Sequence, residues 1–146
     1  MSATLRERAL RLLARREHAR VELQRKLAPH AESAEQLEQL LDDLTARRLL
    51  SDERYAEMRM HSRATRYGNA RLAHELRQQG VPEAIAEAAI ADSGDETERA
   101  HAVWRKKFAA PPGDAAERAK QVRFLQSRGF AMATVMRVLK GDFDDE

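Results

Sequence analysis

Arginine dominates the residues able to do chemistry: of 26 basic side chains, 21 are Arg and five are Lys. Arg presents a planar fork of donors that matches phosphate or carboxylate, so it favours oriented contact with an anionic surface. The basic groups come in clusters. Arg15, Arg16, Arg20, Arg25 and Lys26 form the first, and Arg63, Arg66, Arg71 and Arg77 the second. Arg105, Lys106 and Lys107, followed by Arg118, Lys120, Arg123 and Arg128, form the third. Repetition of this kind suits a repeating polyanion or a repeating protein lattice. A solvated surface laced with i,i+4 ion pairs gives a similar composition. Among the aromatics, Tyr55, Trp104, Phe124 and Phe130 fall mostly on apolar positions and are expected in the core. Tyr67, between Arg66 and Gly68, is the exception that suits a binding surface.

Catalytic and metal chemistry find no comparable set. The chain has no cysteine, which excludes disulfides and thiolate metal sites. His74-Glu75 opens like a zinc-protease helix, but the second histidine would fall at Gln78. His18, His30, His61, His74 and His101 share no ligand spacing, and no phosphate-cradling glycine loop occurs. A non-enzyme without metal or cofactor is expected.

Net charge is only +2 over 146 residues, yet it is banded. Residues 1–30 carry eight basic and three acidic groups, residues 31–60 four and eight, and residues 61–80 four and one. Residues 81–100 carry one and six, residues 101–140 nine and two, and the tail 141–146 none and four. Banding can place positive charge on one side of a molecule whose total is near zero. No apolar run approaches the roughly 18 residues of a membrane span.

Helices must position these groups. Leu37, Leu40, Leu41 and Leu44 fall at i, i+3, i+4 and i+7, on one face of a helix. Leu5, Ala9, Leu12 and Leu13 at i, i+4, i+7 and i+8, and Ala100, Val103, Trp104 and Phe108 at i, i+3, i+4 and i+8, likewise share a face. Nothing alternates like a strand. Ser33 and Ser51 suit caps, Asp114 with Glu117 forms a capping-box pattern, and Pro82 suits a first helical position. About nine helices of roughly 10–15 residues are expected. Leu27, Leu76 and Leu125 are spaced by 49, as are Leu41, Ile90 and Leu139, and Leu40, Ala89 and Val138. Tyr55 and Trp104 share that offset, and so do Gly80 and Gly129. The expected fold is therefore all-α, with three tandem three-helix repeats (1–50, 51–94 and 95–141) in an elongated, curved stack, and an acidic tail over 142–146.

The run Leu49-Leu50-Ser51-Asp52-Glu53-Arg54-Tyr55-Ala56, then Arg63, Gly68, Arg71-Leu72, Glu75-Leu76 and Gly80-Val81, resembles the central signature of the RecX regulatory proteins. Ala9-Leu10, Leu13, Arg15 to Arg20, Glu22-Leu23 and Lys26-Leu27 are similar to that family's opening segment. Phe124-Leu125, Arg128-Gly129-Phe130 and Val135 to Leu139 are similar to its close. Ala19 stands where a serine is common, and Gln79 where a lysine is common. The resemblance implies a bacterial, cytoplasmic modulator of the RecA recombinase built from three three-helix repeats. It implies binding in the groove of the RecA–DNA filament as a monomer. Filament extension would be blocked or disassembly promoted, with strand exchange, ATP hydrolysis and co-protease activity depressed. Some members also bind single- or double-stranded DNA directly. The basic clusters and Tyr67 are then the expected filament-facing residues. The residues alone also fit a stand-alone DNA-binding protein with helix-turn-helix-like repeats, or a helical adaptor with a protein partner.

Overall fold

The computed structural model describes residues 3–141, which leaves the acidic tail 142–146 outside the described residues. Nine α-helices and no strand occur among the described residues. They are α1 (Leu5–Arg15), α2 (Arg20–Leu27), α3 (Ala34–Ala46), α4 (Asp52–Arg63), α5 (Asn69–Gln78), α6 (Glu83–Ala91), α7 (Glu96–Lys107), α8 (Ala115–Ser127) and α9 (Met132–Lys140). The fold is all-α, in tandem three-helix units. Helix lengths of 8–13 residues fall slightly below the expected range.

Local chemistry explains most boundaries. Thr4 and Glu7 form a reciprocal capping box on α1, the Thr4 hydroxyl accepting the Glu7 amide and the Glu7 carboxylate the Thr4 amide. Ser33, Asp95 and Asp114 each accept the amide three residues on, at 3.0, 3.0 and 2.8 Å. Ser51 likewise accepts the Arg54 amide. Pro82 lies just before α6 rather than at its first position, and its carbonyl accepts the Ala86 amide at 3.0 Å. Helices α2 and α9 start differently, because their N-caps, Ala19 and Ala131, have no side-chain acceptor. Glu22 takes the Ala19 amide at 3.2 Å, and Asp52, 32 residues away, takes the Arg20 amide at 2.8 Å.

The 49-residue offset has a structural counterpart. Gly80 closes α5 at φ 75° while Val81 N–H donates to Leu76 C=O. Gly129 closes α8 at φ 91° while Phe130 N–H donates to Leu125 C=O. Both are left-handed glycine closures that satisfy carbonyls of the last turn. Leu27, Leu76 and Leu125 are all within 1 % of complete burial. After Leu27 the equivalent glycine position is Ala31, and the chain instead makes a 3-10 turn over Ala28–His30.

Packing divides the chain into two compact units, Met1–Met58 with Leu76–Ala86, and Arg59–Glu75 with Glu87–Glu146. In the first, Leu5 and Ala9 of α1, Leu23 and Leu27 of α2, and Leu37, Leu40, Leu41 and Leu44 of α3 form one apolar core closed by Leu50. In the second, Ala100, Val103, Trp104 and Phe108 of α7 meet Leu125, Phe130, Val135 and Val138. Each fully buried Leu, Val or Phe contributes about 1.5–3 kcal/mol relative to exposure. The Trp104 indole N–H is satisfied inside this core by the buried Gln121 carbonyl at 2.8 Å, and the Gln121 amide donates to Ala110 C=O.

Candidate basic binding site

The second compact unit holds the densest arrangement of predicted residues, around the turn from α4 to α5. Tyr67 is half-buried there. The guanidinium carbons of Arg71, Arg63, Arg66 and Arg128 stand 4.0, 4.5, 5.4 and 5.7 Å from its ring centroid. All lie within the range where a ring quadrupole attracts a cation.

Four cations around one ring need a scaffold. Arg99 on α7 donates to the carbonyls of Ala64 and Tyr67 at 2.9 and 2.8 Å and to the Asn69 side-chain oxygen at 2.9 Å. Burial pulls the Arg99 guanidinium below its ordinary pKa, while Glu96 and Asp95 act in the opposite direction. One turn earlier, Glu96 accepts the Asn69 amide and the Thr134 hydroxyl, both at 2.8 Å. Gly68 completes the frame, its amide donating to Arg128 C=O at 2.8 Å. A side chain at Gly68 would place its Cβ 2.3 Å from Gly129 O, so only glycine allows this approach.

Charge within the cluster is partly neutralised. Glu75 accepts from Arg63 through both carboxylate oxygens and also pairs with Arg59 and Arg71 at 3.3 Å. Burial pushes the Glu75 carboxyl up, but the guanidiniums of Arg63 and Arg71 outweigh it and hold it below the ordinary carboxylate value. Beside this lies a depression of about 280 Å³ lined by Thr65, Arg66, Val103, Lys106, Lys107, Phe124 and Arg128. Among the described residues Arg66, Lys106, Lys107 and Arg128 form no salt bridge.

The first unit treats its predicted residues differently. Arg20 bridges Glu38 and Asp42, both at 2.7 Å, Arg16 is bidentate to the buried Glu22, and Arg77 pairs with Glu83 at 3.3 Å. Lys26 sits 3.6 Å from Glu22 and 3.2 Å from His18, and Arg25 donates to Gln78 C=O. Arg15 and Lys26 do line a second basic depression of about 360 Å³, with Arg8, Arg11 and His30. Arg105, Lys120 and Arg123, on α7 and α8, are exposed without salt bridges among the described residues.

Sequence reasoning passed over four contributors. Arg8 and Arg11 fall with Arg15 on one face of α1, a signal available from spacing alone. Phe124, assigned to the core, is only half-buried, with Lys107 and Arg128 at 5.5 and 5.1 Å from its ring. Arg99 had no local signal, because its three acceptors lie 30–35 residues away. Among the described residues no His, Asp and Glu group is arranged to hold a metal, and no helix is long and apolar enough to cross a membrane.

Residues 51–90 match the sequence model for the second three-helix domain of RecX, and residues 94–139 that for the third. A regulatory protein RecX of Ralstonia nicotianae is 50% identical over 139 residues, covering 94% of this chain and 87% of the relative. One from Neisseria meningitidis serogroup B is 45% identical, covering 97% and 93%. The crystal structure of RecX from Lactobacillus salivarius superposes with a TM-score of 0.83 at 19% identity, covering 94% of each chain, which speaks for the fold. With half its residues shared with such relatives and both domain signatures in register, the chain belongs to the RecX family of regulatory proteins.

Proposed function

We propose that this protein regulates RecA by binding the RecA–DNA filament as a monomer, blocking its extension or promoting its disassembly, without catalysing a reaction itself. Family membership carries the reading: relatives sharing half of the sequence are regulatory proteins named RecX. The repeats would run over 1–50, 51–94 and 95–141, followed by the tail 142–146. Arg66, Lys106, Lys107 and Arg128, which form no salt bridge among the described residues, support it physically, since they can donate to phosphate or carboxylate without first leaving a carboxylate. Paired groups such as Arg20 would have to leave a carboxylate first. ATP hydrolysis by RecA on single-stranded DNA, measured with this protein below stoichiometry, tests the reading. Inhibition is expected, and unchanged hydrolysis overturns it.

A stand-alone DNA-binding role is the second reading, favoured by the basic depression around Arg8, Arg11 and Arg15, which contains no carboxylate. Binding to bare duplex, to RecA alone and to the assembled filament over a salt series separates the two. Preference for the filament is expected.

A further inference from the structure

The depression beside Phe124 combines two properties, positive charge and an aromatic surface. Arg66, Lys106 and Lys107 bring positive charge to it, and no carboxylate lines it. Phe124 supplies an aromatic surface, braced edge-on by Phe108 with ring centroids 5.5 Å apart at 87°. The Arg128 guanidinium stands 5.1 Å from that ring and 5.7 Å from Tyr67, and so joins the two aromatics through a flat cation. Guanidinium planes and aromatic faces are both platforms for unstacked bases.

The occupant has to satisfy both properties. An acidic side chain offers charge but no flat face, and an aromatic side chain offers the face without charge. Duplex DNA keeps its bases paired inside the helix, out of reach of a surface ring. A nucleotide unit offers a flat base and a phosphate a few ångströms apart, within a volume of about 280 Å³. We propose that this depression is a nucleotide subsite. The base lies against Phe124 and Arg128, and the phosphates pair with Arg66, Lys106 and Lys107. The inference rests on the filament-facing reading above only for the presence of nucleic acid, and it names what this part of the surface holds. The unit could come from a single strand or from a free nucleotide.

Titration of the full chain with a short oligothymidylate, thymidine diphosphate, inorganic triphosphate and a blunt duplex, in the absence of RecA, tests it. Phe124→Leu keeps the apolar volume and removes the ring, while Phe124→Tyr keeps the ring. Stacking losses on this scale correspond to about tenfold weaker oligothymidylate binding for Phe124→Leu. The dependence on salt should stay unchanged in that variant, and Phe124→Tyr should bind like the parent. Lys106→Glu should lower the logarithmic salt slope by about one. Competition by thymidine diphosphate assigns the subsite to a free nucleotide, and its failure beside oligothymidylate binding assigns it to a strand. Equal binding by Phe124→Leu, equal competition by inorganic triphosphate, or the same Phe124 dependence on duplex overturns the proposal. Because RecA is left out, such a failure leaves the ATP-hydrolysis test of filament regulation standing.

Discussion

The Gly68 amide donates to the Arg128 carbonyl at 2.8 Å, and this single bond ties the α4–α5 turn to the end of α8. It brings together Tyr67 and Arg128, which lie 61 residues apart in sequence. The approach is tight enough that both flanking glycines are committed. A Cβ on Gly68 would meet Gly129 O at 2.3 Å, and one on Gly129 would meet Arg71 Cβ at 2.4 Å.

Gly68→Ala should therefore force two backbones apart. Overpacking of this kind costs about 1–3 kcal/mol, read as a lowered thermal midpoint. Gly113→Ala is the control, because nothing lies within 4 Å of its added Cβ. A Gly68→Ala midpoint equal to that of Gly113→Ala would show that the turn is free to move away from Arg128.

Charge reversal should separate binding cations from structural ones. Arg66→Glu and Lys106→Glu alter exposed groups without salt bridges among the described residues, so stability should shift by no more than about 0.5 kcal/mol. Filament binding near 0.1 M salt should weaken by roughly fivefold or more, and the difference should shrink as salt rises. Arg20→Glu should do the reverse. It places a third carboxylate beside Glu38 and Asp42, so the thermal midpoint falls while filament binding by the remaining folded protein holds. Equal loss of binding in all three variants would mean that pairing in the free protein does not govern contact.

The contrast between Arg66 and Arg20 also shows where sequence reading runs out. Both stood in basic clusters, and their types and spacing gave no means of ranking them. Their partners are set by tertiary packing: Glu38 and Asp42 reach Arg20 from α3, 18 and 22 residues away. Helices were legible because their signals are local, as with the Leu37, Leu40, Leu41 and Leu44 stripe and the Ser33 cap. The glycine closures at Gly80 and Gly129 were legible through their shared offset. Phe124 does pack against the second core, as its apolar position suggests, but such a position gives the same pattern whether a neighbour covers it fully or by half. The cap of α2 was hidden for a different reason. Asp52 read as a first-turn residue of α4, which it is, and its carboxylate also serves the Arg20 amide.

Ala19→Ser should stabilise the protein, because it restores the missing half of the α2 capping box. Glu22 already accepts the Ala19 amide, and a serine hydroxyl would accept the Glu22 amide as Ser33 accepts that of Gln36. The gain expected from a new N-cap is about 0.5–1 kcal/mol, measured by denaturant midpoint. Ala19 is fully buried, so a lowered midpoint would show that the hydroxyl has no room.

Stability should also fall on mild acidification, through His18. This ring is 1 % exposed, and burial holds its pKa below the ordinary imidazole value. The Arg16 carbonyl and the Glu22 carboxylate favour the charged ring, whereas the Arg16 and Lys26 side chains oppose it. Geometry selects the neutral tautomer: Nδ1–H donates to Arg16 C=O at 3.1 Å, and Nε2 accepts from Lys26 Nζ at 3.2 Å. A proton on Nε2 would face an ammonium donor and leave no acceptor. The unfolded chain takes up this proton near pH 6.5, and the folded chain does so only at lower pH. The His18 contribution is thus complete above about pH 6.5 and is lost as pH falls from there towards the folded value. Denaturant midpoints between pH 7.5 and 5.5 should decline in the parent. His18→Gln, which cannot titrate, should start lower and stay flat across that window. A parallel decline in His18→Gln would assign the acid sensitivity to another group.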